Sequence, residues 1–254
     1  MRKSIVLLAL AVVACTVAAS AGASRHAGTF KYCTDPTFPP MELAGANGRI
    51  AGFDVDMARE LALTWGANAI PLKTAFDGLI PALNAKRCDA VISGIFITPD
   101  RLKQARAVAY MHSHRVFIVQ AGNPKHITSP ASLKGLSVAV QGGTKYEEYL
   151  KNLKAKIGFT LQSYPGDTDA VAQVLLGRAD VVLTQDTSFV FQSGKHPGKL
   201  AIGYTFAQSD AFGVYYRPND ALGKQIADGV RQLRSTGKLK QLAVRYKIPV
   251  GDVS

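Results

Sequence analysis

The stretch SGIFITPDR at positions 93–101 brings a hydroxyl, a small-residue turn and a guanidinium together in one short segment. It follows a buried-strand pattern at Asp89, Ala90, Val91 and Ile92, and it opens a short helix pattern. Thr98 suits an N-cap, because its hydroxyl can accept from an unpaired amide one turn on. Pro99 suits the first helical position, where a missing N–H costs nothing. Arg101 then falls in the first turn, where a positive charge opposes the helix dipole. Such a guanidinium faces either solvent or an anion, and its planar fork fits a carboxylate through two parallel hydrogen bonds.

Three further groups could do chemistry. Gln141-Gly142-Gly143-Thr144 lies between a strand pattern and a helix pattern, where glycines permit close backbone approach and helix amides attract anions. It lacks the Lys-Ser/Thr pair and the spacing of a P-loop, so it fits a small carboxylate better than a nucleotide. Asp35 precedes a loop stiffened by Pro39 and Pro40. With Phe38 and Phe76 as walls, a carboxylate there suits an ammonium or guanidinium, although most Phe rings are core. His112 and His114 share one face of a strand without a third ligand, and no Gly-x-Ser-x-Gly elbow occurs. No His stands ready to activate Ser93, which reads as a hydrogen-bonding group and not a nucleophile.

The elements that must position these residues alternate between β and α. Strand patterns fall at 29–34, 69–73, 89–93, 116–120, 137–140, 160–163, 180–183 and 212–216. Helix patterns fall at 54–65, 76–84, 99–104, 145–156, 167–176, 221–235 and 238–246. This predicts an α/β protein of parallel sheets covered by helices. The halves echo each other: LNAKRCDAVI at 83–92 resembles LLGRADVVL at 175–183. Two lobes are expected, with ligands bound beyond the carboxyl ends of the strands. That rule places Asp35, Ser93 to Arg101, Gln141 to Thr144 and Gln185 with Asp186 at one edge.

Residues 1–23 read as an export signal: basic Arg2 and Lys3, an apolar run at 5–14 too short to span a bilayer, and the small-residue site Ala21-Gly22-Ala23. Val12-Val13-Ala14-Cys15 also resembles a lipobox, with Cys15 as the lipidated residue. Cleavage after Ala23 leaves 231 residues and a net charge of +10, enough chain for two lobes. The cations are scattered; the densest group, Lys145, Lys151, Lys154 and Lys156, reads as the solvated face of one helix. Nucleic-acid binding is therefore not expected, and neither a cofactor nor a metal is implied. Cys33 and Cys88 are expected to be free, buried thiols. On adjacent parallel strands they would be offset by about four residues, roughly 13 Å at ~3.3 Å per residue. A disulfide needs Cα atoms within about 7 Å.

Taken together, the motifs TDPTFPPME at 34–42, GFDVD at 52–56, FDGLIPAL at 76–83, the segment 93–101, VAVQGGT at 138–144 and GRAD at 177–180 carry a resemblance. Across the whole mature chain the sequence resembles bacterial extracellular solute-binding proteins, family 3, of polar amino-acid ABC transporters. The resemblance implies a periplasmic binding protein type II fold, two lobes joined by two hinge strands and closing on one amino acid. Lobe 1 would comprise 24–115 and 213–254, and lobe 2 would comprise 116–212. Arg101 would hold the α-carboxylate with Thr144 and nearby amides, including that of Gly143. Ser93 and the Gly94 carbonyl would help hold the α-ammonium. Asp35, Phe38 and Phe76 would line the side-chain pocket, and Gln141 would edge the cleft. Two positions depart from the family pattern. Phe96 stands where a hydroxyl is usual, so it offers only its backbone and a ring that narrows the pocket. Counting from Asp180 puts Gln185 where an amine-binding Asp is usual, with Asp186 one step later. Asp186 is expected to take the amine, because a buried ammonium needs a counter-charge. The implied partners are a polar amino acid, with Asp35 and Phe38 leaning toward a cationic one, and a membrane permease. The chain is expected to be a monomer in the periplasm. A periplasmic dehydratase on the same fold is the alternative.

Overall fold

The computed structural model describes residues 28–253; the expected export segment and Cys15 lie outside the described residues. The first lobe begins with β1 (Gly28–Thr34), a small antiparallel sheet of β2 (Thr37–Phe38), β3 (Glu42–Ala44) and β4 (Ile50–Ala51), and α1 (Phe53–Leu63). It continues through β5 (Ala67–Lys73), α2 (Leu79–Asn84), β6 (Ala90–Val91) and α3 (Pro99–Leu102). The long strand β7 (Arg106–Gln120) leads into the second lobe, which holds β8 (Ser137–Gln141), α4 (Lys145–Ile157), β9 (Thr160–Tyr164), α5 (Asp167–Leu175), β10 (Val181–Gln185) and α6 (Asp186–Lys195). The equally long β11 (Leu200–Tyr216) returns to the first lobe, and α7 (Leu222–Ser235) and α8 (Lys238–Arg245) pack there against α1.

The main sheet has the order β5-β1-β6-β11-β7-β10-β8-β9. Its two ends are parallel triplets, as the βα alternation predicts. Between them β7 and β11 pair antiparallel over most of their length, with register shifts between Ile202 and Tyr204, Thr205 and Ser209, and Phe212 and Gly213. One end of β11 pairs with β6 of the first lobe, and the far end of β7 pairs with β10 of the second. These are the two hinge strands. The sequence shows only their buried ends, 116–120 and 212–216, because the stretch Thr205–Asp210 is mostly exposed and lacks apolar alternation.

Helix α6 and the three strands of the small sheet have no periodic sequence signal. α6, DTSFVFQSGK, is rich in β-branched, aromatic, Ser and Gly residues that favour helix weakly. Its buried face is Thr187, Ser188 and Gln192, so no apolar stripe marks it. The strands of the small sheet are two or three residues each, too short to show a period.

The two cysteines correct the expectation of free thiols: Cys33 and Cys88 form a disulfide with Cα atoms 5.7 Å apart. Strand neighbourhood is as expected, since Cys33 pairs with Val91. However, β6 starts only at Ala90, so Cys88 is not on a straight extension of it. The chain turns between α2 and β6 with Lys86 at φ 59°. Both cysteines end in one apolar cluster with Leu79, Ile80, Leu83 and Tyr215. A linear rise per residue does not describe a bent connection.

Candidate functional site

Where the lobes meet, a cleft forms beyond the carboxyl ends of β1, β6, β8 and β10. The first lobe supplies Phe38, Phe76, Gly94, Phe96 and Arg101 to its lining. Thr98 caps α3, accepting from the Arg101 amide at 3.3 Å, with Pro99 at the first helical positions. The Arg101 side chain turns back: Nη1 donates to the Phe96 carbonyl at 2.9 Å, and the guanidinium lies 5.5 Å from the Phe76 ring centroid. The Tyr215 hydroxyl donates to the same carbonyl at 2.6 Å. One carbonyl thus anchors the fork, and most of its five donors remain for an anion. Burial lowers the guanidinium pKa, and Tyr215 and Glu148 oppose that shift.

Behind this wall lies a buried acidic scaffold. Ser93 Oγ donates to Glu42 Oε1 at 3.0 Å and accepts from the Asp35 amide at 2.9 Å. Asp54 accepts from the Gly94 amide at 2.6 Å and from the Tyr110 hydroxyl at 2.8 Å. Burial holds the Glu42 carboxyl well above its usual range, helped by repulsion from Asp54, and it raises Asp54 to about 6. Gly94 has φ +48°, and a Cβ there would stand 2.6 Å from the Phe38 ring, so only glycine lets that ring reach the cleft wall.

The second lobe closes from the opposite side. Gln141, the last residue of β8, donates from Nε2 to Asp35 Oδ2 at 2.7 Å. Burial raises the Asp35 carboxyl to about 6 despite the hydrogen bonds from Thr37 and Gln141. Thr144 caps α4: its hydroxyl accepts from the Glu147 amide at 3.2 Å and donates to the Gln141 carbonyl at 2.7 Å. Lys145 Nζ reaches Asp100 of the first lobe at 3.4 Å. The Tyr146 ring meets Phe96 edge-on at 5.5 Å, and Phe96 stacks on Phe212 at 4.9 Å. Asp167, Leu183, Thr184 and Gln185 complete the floor. The free space among these side chains is ≈ 20 Å³, enough for about one water. Anything larger therefore enters only when the lobes part.

The model for bacterial extracellular solute-binding proteins, family 3, matches residues 30–248. The chain belongs to this family. The L-cystine-binding protein TcyJ of Escherichia coli K12 is 28% identical over 225 residues, covering 87% of this chain and 84% of that protein. ABC transporter arginine-binding protein 1 of the same organism is 30% identical over 251 residues, covering 96% of this chain and 98% of that protein. A solved ancestral arginine-binding protein bound to arginine superposes with a TM-score of 0.81 at 27% identity, covering 86% of this chain and 98% of that one.

In this member of the family, several residues singled out from sequence do not face the cleft. Asp186 is turned to the hinge: its carboxylate accepts from Ser113 Oγ at 2.7 Å, from the His114 amide at 3.1 Å and from the Thr187 amide at 2.8 Å. Its neighbour Gln185 lines the cleft instead. This corrects the expected order, because β10 runs to Gln185 and the following residue starts a helix on the far side of the strand end. Ser93 spends its hydroxyl on Glu42, and the Gly143 amide donates to Glu147 Oε2 at 3.0 Å. Asp35 sits at the cleft edge, held by Gln141. Lys145 leaves the solvated face assigned to it and lines the cleft. Tyr146, Asp167 and Thr184 are cleft residues with no sequence signal of their own. An Asp in a first helical turn is what any helix favours, so Asp167 gave no reason to look further.

Proposed function

We propose that this protein is the periplasmic binding component of an ABC importer and that it carries a polar amino acid to a membrane permease. The observation that supports this best is the half-buried guanidinium of Arg101, anchored by one carbonyl and stacked on Phe76, in a cleft too small to fill without lobe movement. Such a fork takes a carboxylate in two parallel hydrogen bonds. The lobes, 24–115 with 213–254 and 116–212, close about β7 and β11, and ligand affinity for the closed form drives that closure. Thr144, the Gly94 backbone and the Phe38 and Phe96 rings shape the ligand's surroundings.

Binding is the function, with no chemical step. The curated relatives described above are named for cystine and arginine, two ligands that share the α-amino acid group and differ in side chain. Asp35 beside Phe38 favours a cationic or strongly polar side chain. A thermal-shift screen of the twenty common amino acids and cystine tests the proposal. A rise in melting temperature with one or a few of them supports it. No response to any amino acid, together with turnover of prephenate, would replace it with the dehydratase reading.

A further inference from the structure

Asp167 is the first residue of α5 and only 3% exposed, yet it lines the cleft. Its two carboxylate oxygens are held from behind: Thr184 Oγ1 donates to Oδ1, and Ser188 Oγ donates to Oδ2 at 2.6 Å. Both donors are neutral. Among the described residues no Lys, Arg or His forms an ion pair with it. A carboxylate has about four acceptor sites, so two hydroxyls leave capacity on the side facing the cleft. Beside it, Gln185 is 5% exposed and its Oε1 has no hydrogen-bond partner. The cleft lining therefore carries two cations, Arg101 and Lys145, and one carboxylate, Asp167, with an unpartnered amide oxygen next to it.

We propose that Asp167, with Gln185 Oε1, is the receptor for the ligand's α-ammonium, so that the second lobe reads the amine while Arg101 in the first reads the carboxylate. This rests on the amino-acid reading above and gives the clamp its polarity. Helix stability alone explains an acid at this position, but not its enclosure: a buried carboxylate served only by neutral donors gains most when a cation arrives. Thr184 and Ser188 fix the carboxylate before the ligand comes, so little side-chain entropy is lost on binding. Gln185 supplies a neutral acceptor without a second charge. Asp186, the acid next to Gln185 in sequence, is committed to Ser113 and His114.

Burial raises the Asp167 carboxyl to about 6, against the lowering effect of Ser188 and Thr184. The charged and titratable groups around it are Arg101, Lys145 and Tyr146 in the lining and Asp35 across the cleft, whose own carboxyl also stands at about 6. An ammonium needs the ionised acid, so affinity conferred by Asp167 is present above this pH and fades below it.

The test is calorimetry on the mature chain, with the amino acid that gives the largest thermal shift and its des-amino analogue as probes. Asp167→Asn keeps the size and one acceptor for the two hydroxyls. The expected result is a loss of roughly 10- to 100-fold in affinity for the amino acid. The small affinity for the des-amino analogue should be unchanged. Between pH 7.5 and 5 the wild type should lose affinity more steeply than Asp167→Asn, which keeps only the Asp35 contribution. Gln185→Ala, which leaves the carboxylate in place, should cost less and keep the steep pH profile. Equal affinity of wild type and Asp167→Asn, or equal losses for the amino acid and its des-amino analogue, overturns the assignment and leaves the amino-acid reading standing. If no amino acid binds the wild type, the amino-acid reading fails and takes the assignment with it.

Discussion

Replacing Gly166 by alanine should weaken ligand binding without weakening the protein. Gly166 caps α5 with φ −127° and ψ 156°, a conformation any residue adopts, so alanine introduces no backbone strain. A Cβ there would lie 2.7 Å from Thr37 Cβ, 2.9 Å from its Oγ1 and 3.1 Å from its Cγ2. Thr37 belongs to the small sheet of the opposite lobe. Carbon atoms rest about 3.5–4.0 Å apart, so the lobes must separate by on the order of 1 Å at this point. Overpacking of this kind costs typically 1–3 kcal/mol. The cost falls on the closed form only, because parting the lobes removes the contact. Apparent affinity should drop by roughly 5- to 150-fold. The ligand-free protein should melt at the same temperature or slightly higher, since Gly→Ala lowers the entropy of the unfolded chain. Calorimetric titration with the best amino acid, beside melting curves without it, separates the two effects. Adding Thr37→Gly to the same chain should restore most of the affinity. Unchanged affinity would refute closure through this contact. So would a loss of affinity matched by an equal loss of ligand-free stability.

Three other outcomes follow from the same structure. The Cys33–Cys88 disulfide closes a loop with a sequence separation of 55, so Cys33→Ser/Cys88→Ser should cost about 4 kcal/mol and lower the melting temperature by roughly 8–16 °C. An unchanged melting temperature in oxidising buffer would show that the loop is held without it. Asp35, Asp54 and Asp167 are each raised from an ordinary 3.8 to about 6 by burial. The folded ligand-free protein therefore binds more protons than the unfolded chain between these values, and its stability should fall as pH rises from 4 through 6. Urea unfolding at pH 5 and 7.5 checks the sign; greater stability at 7.5 would contradict it. Finally, Arg101→Lys should lose at least tenfold in affinity while circular dichroism stays unchanged, because a point charge cannot reproduce the planar fork.

The fold was largely legible in the sequence because alternating β and α patterns carry their own periods, and because the 93–101 segment spells its cap in Thr98 and Pro99. What stayed hidden shares one physical origin, dependence on partners distant in sequence. The β7 and β11 ribbon is held by mutual pairing, not by apolar alternation. α6 buries hydroxyls and an amide. Ser93 looked like a cleft donor until Glu42, brought in by the small sheet, claimed its hydroxyl. Cys33 and Cys88 looked too far apart because the bend at Lys86 leaves no trace in composition. At the second lobe, counting along the strand reached Gln185 and the need for a counter-charge moved the choice to Asp186, whereas the side of β10 on which the chain leaves put Gln185 in the cleft and Asp186 on the hinge.

The most direct test of the central claim, that Arg101 holds an amino acid's carboxylate as the lobes close, is one calorimetric comparison. The best-binding amino acid and its α-carboxamide are titrated into the wild-type protein at pH 7.5. The account predicts one-to-one binding of the amino acid and a loss of at least about 100-fold for the carboxamide, which removes the charge that the guanidinium reads. Equal affinity for the two would contradict it.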